Sequence, residues 1–200
     1  MIAGRVLLGR FFPLTCEGGE RVPDGPLVVA ANHFSHLDPV LVAVAVGRPI
    51  RYLAVDELYG RSGFFDNLTL WLGAIPMPRT RAPIGALRLA LAELEAGGSV
   101  GLYPEGMRVW TWGEREPKRG AAWLARRAAV PLLPVAVAGS EEALGRGTTR
   151  VARRPIHVAV CEPLHPADWS NAADPLGAMT EEWRRRVAEA LGRVYGRPAA

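Results

Sequence analysis

The sequence predicts an α/β fold: a single layered domain with a largely parallel central sheet flanked by helices. Two observations carry this expectation. Short apolar runs such as Leu132–Ala138 alternate along the chain with segments of helical periodicity, which is the pattern of a parallel sheet with crossover helices. The residues with the strongest chemical character, His33 and Glu105, fall just past two of these runs, and the strand ends of such a sheet are where functional loops gather.

Residues 1–24 read as an N-terminal amphipathic segment and connector, followed by one domain over residues 25–200. As a helix, Met1–Leu14 places Val6, Leu7, Phe11 and Leu14 largely on one side and leaves Arg5 and Arg10 to reach phosphate head groups. It therefore reads equally as an interfacial anchor or as a helix packed on the domain. Arginines break its apolar stretches and no small-residue cleavage site follows, unlike a signal peptide.

The connector Glu17–Pro26 leads to a strand, Pro26–Ala31, and a helix starts at Pro39, with Asp38 in the N-cap position. Further strands are expected at Arg51–Val55, Ala74–Met77, Ser99–Tyr103, Leu132–Ala138 and Ile156–Val160. Helices are expected at Gly63–Leu72, at Ile84–Ala96 closed by Gly97-Gly98, at Gly120–Arg127 and at Thr180–Tyr195. The last opens on Glu181-Glu182 and carries arginines later, as the helix dipole favours. Neither an internal repeat nor a low-complexity linker is present.

Two hundred residues suit one domain with a sizeable core. The 49% hydrophobic content points to apolar surface or a tunnel beyond that core, although Ala and Gly richness inflates it. Positive charge exceeds negative by 24 to 20, and all of it except Lys118 is arginine. Guanidinium forks suit phosphate oxygens, so Arg79, Arg81 and Arg108 are candidates to hold an anionic acceptor. The Arg153-Arg154 and Arg184-Arg185-Arg186 runs read as solvated faces or contacts with anionic lipid.

Nucleic-acid binding is not expected, because the chain has no helix-turn-helix signal, aromatic strand motif or zinc-ligand spacing. Cys16 and Cys161 stand far apart without a Cys-x-x-Cys pattern, which argues against a disulfide framework and for a reducing, cytoplasmic setting. No apolar run approaches the ~20 residues a spanning helix needs.

The chemistry centres on Asn32-His33-Phe34-Ser35-His36-Leu37-Asp38. A tight turn across this spacing brings an imidazole to a carboxylate, and a carboxylate on one ring nitrogen frees the other to act as a general base. Metal binding is not expected: His36 adds a ligand type, but His157 and His165 lie far downstream without a companion motif. Ser35 and Ser140 lack a Gly-x-Ser-x-Gly nucleophile elbow. A second motif, Leu102-Tyr103-Pro104-Glu105-Gly106-Met107-Arg108, follows another strand.

Together these motifs resemble the glycerolipid acyltransferase family, whose bacterial type member is 1-acyl-sn-glycerol-3-phosphate acyltransferase. The resemblance covers four ordered blocks over roughly residues 25 to 140. They are His33 with Asp38; Gly73, Ile75 and Arg79; Pro104-Glu105-Gly106-Met107-Arg108-Val109; and Val130-Pro131-Leu132-Leu133-Pro134-Val135, which leads to Gly139-Ser140. Lys118-Arg119-Gly120 resembles a further Lys-x-Gly segment. The chain departs at Met107 and Val109, where the family carries hydroxyl side chains, and at Asp56-Glu57-Leu58, where a lysine is usual.

The resemblance implies a glycerol-3-phosphate (1)-acyltransferase-like fold and transfer of an acyl group from acyl-CoA or acyl-carrier protein to a lysophospholipid hydroxyl. The acceptor it points to first is 1-acylglycerol-3-phosphate, which would give phosphatidate. His33 and Asp38 are then catalytic, and Gly73, Arg79, Glu105, Gly106 and Arg108 substrate-binding, with no cofactor beyond the acyl donor. The setting implied is peripheral, on an anionic membrane at its cytoplasmic face. A glycolipid or amino-lipid acceptor, a non-catalytic lipid-binding protein and a thioesterase are the alternatives.

Overall fold

The computed structural model describes residues 8–55, 73–78 and 84–196. Strands β1 (Leu14–Glu17) and β2 (Leu27–Ala31) precede helix α1 (Asp38–Val46), β3 (Arg51–Val55), β4 (Ile75–Met77), α2 (Ile84–Glu95) and β5 (Ser99–Leu102). There follow α3 (Gly120–Ala128), β6 (Leu132–Ala138), a short α4 (Ser140–Leu144), β7 (Ile156–Val160) and α5 (Pro175–Tyr195). The helix expected at Gly63–Leu72, with Trp71, Phe64 and Phe65, lies outside the described residues.

The described strands form one sheet in the order β1-β7-β6-β2-β5-β3-β4. Every neighbouring pair is parallel except β6 and β7. The expected α/β class and largely parallel sheet are therefore present. All five residues of β2 are buried, because both faces of the sheet are covered. Val28 and Ala30 join the layer that contains Leu94, Leu124 and Trp183 from α2, α3 and α5. Leu27, Val29 and Ala31 join Leu41, Val42 and Ala45 of α1 on the other face. A continuous apolar run is what a strand buried on two sides requires.

Among the described residues, 8–17 are built into this domain. Leu14–Glu17 adds an edge strand parallel to β7, Phe12 is buried in the core layer that also holds Leu41 and Val42 of α1, and Leu8 packs against that layer. Residues 8–11 are helical, with Phe11 exposed.

Two helix starts differ from expectation for identifiable reasons. Asp38 is the first residue of α1, the cap position falls on Leu37, and no side chain caps the helix. The Asp38 carboxylate turns back into the preceding loop, where stronger claims on it exist. Helix α5 starts at Pro175 and not at Thr180, because Asp174 accepts the Gly177 amide at 3.0 Å. That Asp-Pro pair is a helix start signal upstream of the acidic pair. Helix α5 is also pinned to the centre of the sheet, where the buried Trp183 Nε1 donates to the Ala30 carbonyl at 2.9 Å. Among the described residues no helix is long and apolar enough to cross a membrane.

Candidate active site

The carboxyl ends of β2 and β5, adjacent strands that pair Ala30 with Leu102, bring the two motifs together. Asn32 is the first residue past β2, and its side chain continues the sheet pairing after the backbone has turned away. Its Nδ2 donates to the Val137 carbonyl and its Oδ1 accepts the Val137 amide, both at 2.8 Å. The strand therefore ends at a defined point, and His33 is delivered from a rigid base.

His33 is held on every side but one. Its Nδ1 lies 2.8 Å from Asp38 Oδ2. Its backbone N–H donates to Glu105 Oε2 at 2.8 Å, and its carbonyl accepts the Val109 N–H at 2.8 Å. Its ring stacks on Tyr103, with centroids 3.8 Å apart and planes 14° from parallel. Tyr103 in turn stacks on Tyr52 at 5.5 Å. Nε2 is the nitrogen left for a substrate, on a ring 17% exposed.

The Asp38 carboxylate is fully buried and organises the turn. Besides His33, its Oδ2 accepts the amides of Phe34 at 2.8 Å and Ser35 at 2.7 Å. Three donors on one oxygen keep the carboxylate in place and offset part of the cost of its burial, Oδ1 having no hydrogen-bond partner among the described residues. Ser35 supplies a further brace: its Oγ donates to the Leu144 carbonyl at 2.6 Å and accepts the Leu37 amide at 3.0 Å.

Glu105 is buried beside this pair, and burial pushes its carboxyl up to about 8 from the usual 4.5. Its Oε2 accepts the His33 backbone N–H, and among the described residues Arg108 makes no ion pair. Arg108 sits half-buried next to Val109. Its affinity for its proton is lowered by burial and then by the charge of Arg146, with Asp38 acting in the opposite sense. His36 is lowered to about 4 by burial first and then by Arg108 and His33.

Gly106 occupies a left-handed conformation, φ 76°, in the turn that its amide closes on the Tyr103 carbonyl at 2.9 Å. A Cβ there would stand 2.9 Å from Lys118 Nζ, so glycine leaves room for the lysine to cross the turn. Val109 is buried in the core, and Met107 Sδ accepts from Arg115 at 3.0 Å.

The contacts gather His33, Asp38 and Glu105 into one cluster, and Arg108 stands beside it next to Val109, whose amide donates to the His33 carbonyl. Gly73 stands apart, just before β4, where its carbonyl accepts Arg51 Nε at 2.8 Å. Arg79 and Arg81 lie outside the described residues. Asn32, Ser35 and Tyr103 were inside the quoted motifs but unassigned, and their roles depend on partners far away in sequence. Among the described residues no three His, Cys, Asp or Glu side chains converge to hold a metal ion. An oriented imidazole beside a buried carboxylate, at the carboxyl end of β2, is an arrangement suited to proton abstraction from a hydroxyl or thiol.

The chain is 25% identical over 190 residues to a chloroplastic 1-acyl-sn-glycerol-3-phosphate acyltransferase of Arabidopsis thaliana, covering 90% of this chain and 50% of that protein. It is 32% identical over 124 residues to a probable 1-acyl-sn-glycerol-3-phosphate acyltransferase of Mycoplasma genitalium, covering 60% of this chain and 46% of the relative. It thus spans about half the length of these curated relatives. The crystal structure of the 1-acyl-sn-glycerophosphate (LPA) acyltransferase PlsC from Thermotoga maritima shares its fold, with a TM-score of 0.78 at 22% identity, over 98% of this chain and 78% of that one. The Acyltransferase family model matches residues 13–138, from the edge strand β1 through the His33 and Glu105 loops to the end of β6. The chain belongs to the acyltransferase family.

Proposed function

We propose that this protein moves a fatty acyl group from an acyl thioester to the free hydroxyl of 1-acylglycerol-3-phosphate, yielding phosphatidate. The observation that carries the reading is the immobilised His33, with Nδ1 on Asp38 and Nε2 left for substrate. The activities named for the relatives point to the acceptor. His33 Nε2 takes the hydroxyl proton as the oxygen attacks the thioester carbonyl, and Asp38 stabilises the imidazolium. Collapse of the tetrahedral adduct expels the thiolate, which recovers the proton from His33, so the products are an ester and a free thiol. The thioester is already activated, and alignment with a base supplies the remaining help without a cofactor.

Acyl-CoA and acyl-carrier protein both present this thioester. Arg108 and Arg79 serve as phosphate contacts, Gly73 and Gly106 shape the acceptor loops, and Glu105 fixes the base. The exposed Phe11 and Trp110 support work at an anionic membrane surface, on its cytoplasmic face. One observation favours a second reading, a glycolipid or amino-lipid acceptor: Met107 and Val109 carry no hydroxyl for the acceptor, and Val109 is buried in the core while Met107 accepts from Arg115.

The test is release of free thiol from a long-chain acyl-CoA, with and without lysophosphatidate, for wild type and His33→Ala, with lipid products resolved by mass. Phosphatidate formation that needs both the acceptor and His33 is expected. Thiol release that ignores the acceptor would replace this reading with a thioesterase, and product only from unphosphorylated acceptors would replace it with the second reading.

A further inference from the structure

Arg146 lies outside all four sequence blocks, in the turn after α4, yet that turn is built onto the His33–Asp38 loop. Ser35 forms an isolated bridge with Gly145, the residue before Arg146, and Ser35 Oγ holds the Leu144 carbonyl at 2.6 Å. Arg108 approaches the same loop through its neighbour Val109, whose amide donates to the His33 carbonyl. Each arginine is thus one residue away from a backbone contact with the catalytic turn.

The surroundings of Arg146 fix its side chain without neutralising it fully. Its guanidinium lies over the Trp110 ring, 5.4 Å from the centroid. Its carboxylate neighbour, Glu114, is 3.8 Å away, while the other oxygen of Glu114 accepts the Trp110 amide at 2.6 Å. Arg108 has no carboxylate partner among the described residues. Trp110, beneath the Arg146 guanidinium, is two residues from Arg108, and in keeping with that placement the charge of Arg146 lowers the proton affinity of Arg108, while His36, lowered to about 4, is neutral at pH 7. Like charges held near each other and half out of water repel, and an anion between them removes the penalty.

We infer that Arg146 and Arg108 form a two-guanidinium clamp for the phosphate of the acceptor, with Arg146 selecting phosphorylated over neutral acceptors. A phosphomonoester offers oxygens to both planar forks at once, which an uncharged head group does not. This assignment rests on the reading that the acceptor carries a phosphate.

The experiment measures binding of sn-glycerol 3-phosphate by calorimetry at fixed salt, together with kinetics on lysophosphatidate and on monoacylglycerol. Wild type is compared with Arg146→Gln, Arg146→Lys, Glu114→Gln and a control on the outer face of α3, Arg127→Gln. Loss of a charge-assisted contact in Arg146→Gln is expected to weaken glycerol 3-phosphate binding by roughly 10- to 100-fold. The KM for lysophosphatidate rises by a similar factor, the KM for acyl-CoA stays, and preference over monoacylglycerol shrinks. Arg146→Lys restores part of each effect, and Arg127→Gln behaves as wild type.

The clamp is overturned if wild type does not bind glycerol 3-phosphate, or if folded Arg146→Gln binds it as wild type does. It is equally overturned if Glu114→Gln reproduces every effect of Arg146→Gln with a matching fall in Tm and in donor KM, which identifies a turn brace. Failure of the two readings is separable. Arg146-dependent binding without phosphatidate formation keeps the clamp and removes the proposed reaction; phosphatidate formation indifferent to Arg146 does the reverse.

Discussion

The buried carboxyl group of Glu105 holds His33 by its backbone amide, at 2.8 Å, and not by its ring. Asp38 takes the ring, so two acidic side chains divide one residue between them: one sets where the imidazole is anchored, the other which nitrogen is exposed to substrate. Pre-organisation of this kind, with each rotamer fixed by packing and outer hydrogen bonds, is what general-base catalysis needs.

Glu105 gives the fold a pH dependence. Burial raises its carboxyl from 4.5 to about 8, so the folded protein keeps a proton in that interval which the unfolded chain has released. The associated stability is complete below 4.5 and is lost as pH climbs through about 8. Glu105→Gln, neutral throughout, retains an acceptor for the His33 amide. Urea midpoints measured across the interval are expected to fall less steeply with pH in the variant than in wild type.

Asp38→Asn keeps an oxygen for the three donors that converge there but removes the charge that balances an imidazolium. By analogy with other His–carboxylate pairs, kcat falls about 10³- to 10⁴-fold. Steady-state rates beside thermal unfolding check this: Tm is expected to move little, and an equal loss of fold and rate would assign Asp38 a purely structural part.

Asn32→Ala removes two buried hydrogen bonds and leaves the amide and carbonyl of Val137 bare. A cost of about 2–4 kcal/mol in urea unfolding follows from the usual penalty per stranded group. Because the same side chain terminates β2 ahead of His33, kcat is expected to fall as well at temperatures where the variant remains folded.

Gly101 lies opposite Tyr52 in the β3–β5 pairing, and a Cβ there would stand 2.4 Å from the Tyr52 ring. Gly101→Val displaces Tyr52, then Tyr103 stacked upon it, then His33 stacked on Tyr103. Overpacking of this sort costs about 3 kcal/mol. Chemical denaturation with activity measured on the same samples tests the relay: destabilisation with an unchanged kcat would show that the stack does not position the base.

By itself the sequence determined what depends on neighbours along the chain. Leu132–Ala138 and Ile156–Val160 are strands over the expected residues, and Ile84–Glu95 and Gly120–Ala128 are helices ending within a residue of expectation. Their periodicity and their Gly and Pro punctuation are local signals. The approach of His33 to Asp38 was also legible, since a turn of that length brings the two together wherever it is placed. The edge strand β1 was not, because four residues of mixed burial become a strand only when β7 offers them a partner.

Tertiary structure alone decided the rest of the site. Asp38 was read both as the partner of His33 and as a helix cap; it keeps the first role and not the second, because three loop donors outweigh one orphan helix amide. Glu105 meets the His33 amide across 72 residues, Asn32 meets Val137 across 105, and Trp183 meets Ala30 across 153. Partners so distant are chosen by strand order, in which β2 lies between β5 and β6. Hydrophobic pattern cannot encode that order: it tells a strand that both faces will be buried, and not which neighbours will bury its edges.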